Sequence, residues 1–236
     1  VSFDVHPGEC HCLLGDNGAG KSTFIKTMSG VHKPSEGQIF FEGQPLYFDD
    51  PRDAISAGVA TVYQDLAMIP LMSVSRNFFM GNEPITKRFG LRFYDRQYAD
   101  RITVEKMRDM GISLRGPDQA VGTLSGGERQ TVAIARAVHF GAKVLILDEP
   151  TSALGVRQTA NVLATVNKVR ESGIAVVLIT HNVRHALAVG DRFTVLNRGK
   201  TLGTAQRGEI TLEELQDLMA GGMEMAALKG SLSSTV

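Results

Sequence analysis

The sequence predicts an α/β protein with a mainly parallel core sheet, an N-terminal antiparallel β portion and an inserted helical subdomain. Three observations carry this. Two aliphatic runs, Val144 to Leu147 and Ile174 to Ile179, flank a helical pattern at 157–171 with Val162, Val166 and Val169 on one face. Strand, helix and strand within about 35 residues form a βαβ unit, and such crossovers lay parallel strands under helices. The start of the chain alternates instead: Val1, Phe3 and Val5 are interleaved with Ser2 and Asp4. The stretch from 71 to 123 has a third character, with nine basic and six acidic residues, several aromatics and helical spacing at Ile102, Lys106, Asp109 and at Val104, Met107, Met110.

Taken in order, Val1 to Val5 reads as a strand that Pro7-Gly8 turns into a second strand at 9–14. A hairpin that opens at residue 1 needs a strand before it to pair with, so the natural chain is expected to begin some tens of residues earlier. Residues 22–29 read as a helix, with Gly30 as its stop and Pro34 beyond. Gln38 to Phe41 and Gly58 to Tyr63 read as strands, and Gly126 to Phe140 as a helix. After the βαβ unit, Phe193 to Leu196 reads as a strand and Thr211 to Met219 as a helix. The tail from Gly221 is small and polar with a few methionines and is expected to be loosely ordered.

Lys+Arg and Asp+Glu are 25 each, so the formal net charge is zero, with 43% apolar and 21% charged residues. That balance excludes a disordered chain, a collagen-like chain and a basic nucleic-acid tail. The longest aliphatic run, Ile174 to Ile179, is too short to span a bilayer, and the start does not read as a signal peptide. Cys10 and Cys12 lie two apart on one strand face and read as plain buried thiols.

Gly15-Asp16-Asn17-Gly18-Ala19-Gly20-Lys21-Ser22-Thr23 matches G-x-x-x-x-G-K-[ST] between a strand ending at Leu14 and the helix at 22–29. Glycines let the backbone curl so that successive N–H groups point at phosphate oxygens, and the helix N-terminus adds partial positive charge. Lys21 would reach the β- and γ-phosphates and the Ser22 hydroxyl would ligate Mg²⁺. With the sheet pattern, this makes the fold a P-loop NTPase.

Val144 to Leu147 runs into Asp148 and Glu149. An interior parallel strand delivers its last side chains to the crevice where the phosphate loop also lies. Asp148 would hold Mg²⁺, and Glu149 would point toward the attacking water. Leu124-Ser125-Gly126-Gly127-Glu128 opens the helix at 126–140. Ser125 and Glu128 have capping-box spacing. Yet two glycines in a first turn cost about 1 kcal/mol each relative to Ala. Bare backbone there suits a close-approaching anion, so the segment reads as a second phosphate-binding surface.

These motifs, with LSGGE ahead of the aliphatic strand, resemble the ATP-binding cassette ATPases over residues 1 to about 222. The resemblance implies a RecA-like nucleotide-binding core with a β subdomain at 1–70 and 141–222. It also implies a helical subdomain with the signature motif at 71–140, and a flexible tail at 223–236. Gln64 matches the glutamine that in the family contacts Mg²⁺ and links to the membrane subunit. His181 matches the switch histidine on the γ-phosphate; its i, i+4 spacing to His185 also fits zinc, but Asn182 stands where a zinc protease has Glu. Pro150-Thr151-Ser152-Ala153-Leu154 matches the D-loop, with Gly155 in place of the usual Asp. The adenine-stacking aromatic belongs further upstream than this chain reaches, and Phe3 faces the core.

In the family, two such domains dimerise head to tail, each ATP lying between one copy's phosphate loop and the other's LSGGE. This implies that Lys21, Mg²⁺ and the partner's Ser125, Gly126 and Gly127 neutralise charge, with Glu128 in the same nucleotide-contacting segment, Glu149 as general base and His181 as orienter. The chain looks most like bacterial monosaccharide importers of the single-cassette fructose type, working as a homodimer. The implied partners are integral membrane permease subunits, which place a short helix in the groove near Gln64, and indirectly a periplasmic sugar-binding protein. The implied place is the cytoplasmic face of the inner membrane. The alternative is a non-transport cassette ATPase acting on nucleic acid or ribosomes. Zero net charge, one motif set and the lack of heptads or a Cys cluster argue against it. A P-loop kinase leaves LSGGE and His181 unexplained.

Overall fold

The computed structural model describes residues 1–221; the predicted flexible tail at 223–236 lies outside the described residues. In chain order the elements are β1 (Cys10–Leu14), α1 (Lys21–Met28), β2 (Ile39–Phe41), β3 (Gln44–Leu46), α2 (Pro51–Ala57), β4 (Val59–Val62) and α3 (Val74–Phe78). There follow β5 (Ile85–Arg88), β6 (Leu91–Tyr94), α4 (Arg96–Asp109), α5 (Gly126–His139), β7 (Val144–Asp148) and α6 (Val156–Glu171). The chain continues through β8 (Ala175–Thr180), α7 (Val183–Val189), β9 (Arg192–Asn197), β10 (Lys200–Gln206) and α8 (Leu212–Met219). They form two compact units: Val1–Thr61, Ala142–Glu149 and the chain from Val169 make the first, Val62–Gly141 with Pro150–Lys168 the second.

The main sheet has the order β10-β9-β1-β8-β7-β4. β1 runs parallel to both β8 and β9, β7 runs parallel to β8, and β10 closes one edge antiparallel to β9. The expected βαβ unit is therefore present as adjacent parallel strands β7 and β8. Every residue of β1 and β8 is buried, which is why these strands read as apolar runs rather than alternating ones. On one sheet face Leu13, Ile146, Val177 and Ile179 pack with Ile25 of α1 and Ala54 of α2. On the other, the Cys12 thiol donates to the Ala186 carbonyl of α7 at 3.7 Å. Cys10 and Cys12 are free and fully buried, and burial pushes the Cys12 thiol well above its ordinary pKa.

The start of the chain departs from its reading. Residues 1–9 form no strand, and β1 takes both its neighbours from the distant β8 and β9. Side chains hold the segment instead. Phe3 stacks on His11 with ring centroids 4.0 Å apart, and Arg192 forms a two-pronged ion pair with Asp4 at 2.8 and 3.0 Å. The buried His11 donates from Nδ1 to the Asp4 carbonyl at 2.7 Å and accepts at Nε2 from Thr194 Oγ1 at 2.8 Å. The antiparallel portion is instead the β2–β3 hairpin, whose Glu42-Gly43 turn has both φ angles positive, as a tight hairpin requires.

The second unit is built on α3, α4 and α5 around Val74, Phe78, Phe79, Met107, Leu124 and Val132. Ser73 and Asp95 cap α3 and α4 by accepting from the Arg76 and Tyr98 amides. A β5–β6 hairpin, absent from the helical reading of this stretch, projects before α4 with Ile85 opposite Tyr94 and Lys87 opposite Arg92.

Candidate functional site

Parallel register brings the first unit's site together. Leu14 lies beside Thr180, and Asp148 beside Ile179. The C-terminal ends of β1, β8 and β7 are thus level, and each releases its next residue on the same edge: Gly15, His181 and Glu149.

The phosphate loop leaves β1 at Gly15, whose φ of +157° favours glycine, and curls through Gly18 and Gly20 at +81° and +105°. A Cβ on Gly15 would lie 2.6 Å from the Leu196 carbonyl oxygen and 2.8 Å from Ala19 Cβ, so close approach requires glycine there. The loop is buttressed by the β9–β10 turn: the Gly199 amide donates to the Ala19 carbonyl at 2.8 Å. Because carbonyl and N–H point opposite ways across a trans peptide, this bond directs the Gly20 N–H away from the turn. The Ala19 amide itself is spent on Asp16 O at 3.1 Å. Asp16, Asn17, Gly18, Ser22 and Thr23 are exposed. α1 begins after Gly20 with no side-chain cap, which leaves its first-turn donors for an outside acceptor. Lys21 is buried, and its ammonium donates to the Gly15 and Asp16 carbonyls, holding the curl. This donor set fits a polyphosphate, and the exposed Ser22 hydroxyl with Asp148 fits a hard, oxygen-loving cation.

Asp148 and Glu149 are half-buried neighbours. Desolvation first, and then repulsion from Glu149, raise the Asp148 pKa, while Lys21 opposes the rise. Glu149 has φ +47°, a left-handed conformation that costs a non-glycine residue about 1–2 kcal/mol. Its carboxylate accepts from Thr180 Oγ1 at 3.2 Å, from the His181 amide at 3.0 Å and from His181 Nδ1 at 2.8 Å. Nδ1 therefore carries the proton, and Nε2 of the exposed ring faces outward as an acceptor. Thr180 was missed by sequence reasoning, although a hydroxyl one residue before the histidine on a buried strand was the available signal. Asn182 caps α7 through the His185 amide at 3.2 Å, so the helical spacing of His181 and His185 belongs to a helix start. Among the described residues no three His, Cys, Asp or Glu side chains cluster as a metal centre.

The second unit carries the other predicted residues. Gln64 is exposed, and its Nε2 reaches Ser152 Oγ of the D-loop at 3.4 Å. It borders an open cleft of about 450 Å³ lined by Leu66, Met68, Pro70, Val121 and Arg129. At α5 the capping box is complete: Ser125 Oγ accepts from the Glu128 amide at 3.3 Å and Glu128 Oε2 from the Ser125 amide at 2.7 Å. A Cβ on Gly126 would meet Leu154 Cδ2 at 2.6 Å, and one on Gly127 would meet Gln158 Cβ and O at 3.1 and 3.2 Å. At Gly155, where the resemblance expects Asp, a Cβ would meet nothing within 4 Å.

The family model described as "ABC transporter" matches residues 1–152. The chain belongs to the ATP-binding cassette transporter family. As a cassette ATPase it binds ATP and hydrolyses it with Mg²⁺. It is 42% identical to a fructose import ATP-binding protein of Rhizobium meliloti over 95% of this chain and 88% of the relative. It is 41% identical to a xylose/arabinose import ATP-binding protein of Sulfolobus acidocaldarius, over 93% of this chain and 86% of the relative. Among solved structures, a dimeric post-hydrolysis cassette bound to ADP and Pi superimposes with a TM-score of 0.73 at 25% identity, covering 89% of this chain and 90% of that one. The ADP conformation of another transporter cassette matches in fold, with a TM-score of 0.77 at 23% identity over 93% and 87% of the two chains. Among the described residues no helix is long and apolar enough to cross a membrane.

Proposed function

We propose that this cassette is the ATP-hydrolysing subunit of a membrane sugar importer and works as a head-to-tail homodimer. The observation that carries the chemistry is the level strand ends, which bring the phosphate loop, Asp148, Glu149 and His181 to one sheet edge. The cargo class is supported by the relatives, named for fructose and xylose/arabinose import.

The loop from Gly15 to Thr23, apart from the Ala19 amide, cradles the phosphates through backbone N–H groups, and Lys21 adds a fixed positive charge. Ser22 and Asp148 are the residues to hold Mg²⁺. When bound, the ion neutralises charge on the phosphate oxygens. Glu149 accepts the proton of the attacking water at a carboxylate oxygen. The Nδ1 bond to Glu149 fixes the tautomer of His181, whose Nε2 accepts from the attacking water and orients it. Ser125, Gly126, Gly127 and Glu128 of a second copy present their helix N-terminus to the same triphosphate. This accounts for two anion-binding devices in one chain.

The cassette lies on the cytoplasmic face of the membrane. Permease subunits insert a short helix into the cleft beside Gln64, and a periplasmic sugar-binding protein acts through them. Co-purification with integral membrane subunits, together with growth of a deletion strain on single sugars, tests this reading. Loss of growth on one sugar is the expected result. Nucleic-acid-stimulated ATP hydrolysis without membrane partners would overturn it.

A further inference from the structure

The β5–β6 hairpin carries residues that neither its own turn nor the core explains. Its tip is Phe89-Gly90, with φ of +51° and +77°. Two positive φ angles define the tight hairpin turn in which Asn-Gly or Asp-Gly is favoured. A bulky aromatic side chain in that first position is strained. Burial does not repay the strain, because Phe89 is fully exposed. Leu91 and Phe93 beside it are 63% and 47% exposed. A Cβ on Gly90 would find nothing within 4 Å, so the tip projects into open space.

The charges are equally unexplained by the fold. Lys87 and Arg92 are exposed and lie directly opposite each other on the two strands. Like charges in that position destabilise a hairpin. Among the described residues neither has an ion-pair partner. Residues 85–94 contain Lys87, Arg88 and Arg92 and no acidic residue, in a chain whose net charge is zero.

We propose that this hairpin is an interfacial finger, which seats Phe89 and Leu91 among the headgroups of an anionic bilayer while Lys87 and Arg92 bind lipid phosphates. The inference rests on the reading of the chain as a membrane-side subunit. An anion between the two cations removes their repulsion. A fluid interface takes a convex apolar tip flanked by bases without any matching pocket. An acidic protein partner would have to supply both a pocket for Phe89 and carboxylates at matched positions.

The test sediments the full chain with vesicles of equimolar phosphatidylcholine and phosphatidylglycerol, and with phosphatidylcholine alone. The expected result is binding to the anionic vesicles and much weaker binding to the neutral ones. Phe89→Asn places a favoured residue in the turn, so it should melt no lower than the parent, yet it should lower partitioning by about tenfold or more. Removing charge with Lys87→Gln and Arg92→Gln should each cost about fivefold. Undiminished binding of Phe89→Asn, or equal binding to both vesicle types, would overturn the proposal. So would capture by soluble polyglutamate in place of vesicles, since that assigns the finger to an acidic protein. ATP turnover in solution is read alongside. Turnover without vesicle binding overturns the finger alone, whereas absent turnover overturns the functional reading, and sedimentation still decides the finger.

Discussion

Replacing Glu149 by Gln separates the chemical role of the carboxylate from its structural one. The hydrogen bonds predict a small structural cost. Oε1 accepts from both the amide and Nδ1 of His181, and Oε2 accepts from Thr180 Oγ1. A glutamine keeps the oxygen for His181 and turns its amide toward Thr180, whose hydroxyl can accept instead of donate. The bond count is conserved, so stability should change by less than about 1 kcal/mol. The chemistry is not conserved, because an amide cannot take the proton from water. Loss of a general base costs about 10²–10⁴ in rate, or roughly 3–5 kcal/mol of barrier. The charge next to Asp148 also disappears, so the upward push on its pKa weakens and the cation site is better ionised. Nucleotide affinity should therefore hold while phosphate release nearly stops, and ATP should trap a dimer visible by light scattering. Phosphate release at the parent rate would refute the role given to Glu149. Loss of ATP binding would refute the claim that its bonds are replaceable.

Two further perturbations probe other parts of the chain. Ser125→Arg removes the side-chain cap of α5, at about 1 kcal/mol; it should leave binding of fluorescent ATP to the monomer intact and abolish ATP-driven dimerisation, and loss of monomer binding would contradict assembly across two copies. His11 is held to a pKa of about 4, chiefly by burial, against an ordinary 6.5. The unfolded chain thus binds a proton at higher pH than the folded one, so this group's stability is whole above pH 6.5 and falls as pH drops toward 4, by about 3 kcal/mol in all. His11→Gln should flatten that part of the acid limb in denaturant titrations, and an unchanged limb would remove His11 from the account.

Much of the fold was legible because buried parallel strands and long amphipathic helices write strong patterns. Val144 to Leu147 and Ile174 to Ile179 needed no tertiary information. Residues 1–5 alternate as a strand does, but alternation cannot say whether an edge is available. β1 had already taken β8 and β9, so the segment is held by Phe3 and Asp4 side chains instead. α2 and α7 are seven residues each, too short for periodicity to register, although Asp50-Pro51 and Asn182 are sound start signals. The β5–β6 hairpin escaped because its turn has Phe where a hairpin usually announces itself with Asn or Asp.

Gly126 and Gly127 show where sequence reasoning reached a sound feature through an incomplete cause. Two glycines in a first helical turn demanded an explanation, and an approaching anion supplied one. The structure supplies another within the same unit, since added Cβ atoms would run into Leu154 and Gln158. The two causes can be separated, because the obstacles differ. At Gly127 the neighbours include the Gln158 backbone at 3.2 and 3.3 Å, so an added methyl group needs that backbone to give by a few tenths of an ångström. At Gly126 the sole contact under 3 Å is the tip of the Leu154 side chain. Gly126→Ala combined with Leu154→Ala removes that obstacle and gains helix propensity of about 1 kcal/mol at the first site. If glycine at 126 serves packing only, the double variant should dimerise with ATP as the parent does. The proposed phosphate surface requires the opposite: a folded, ATP-binding monomer whose ATP-driven dimerisation is weakened, because the new methyl group stands where the partner's triphosphate must approach the helix N-terminus.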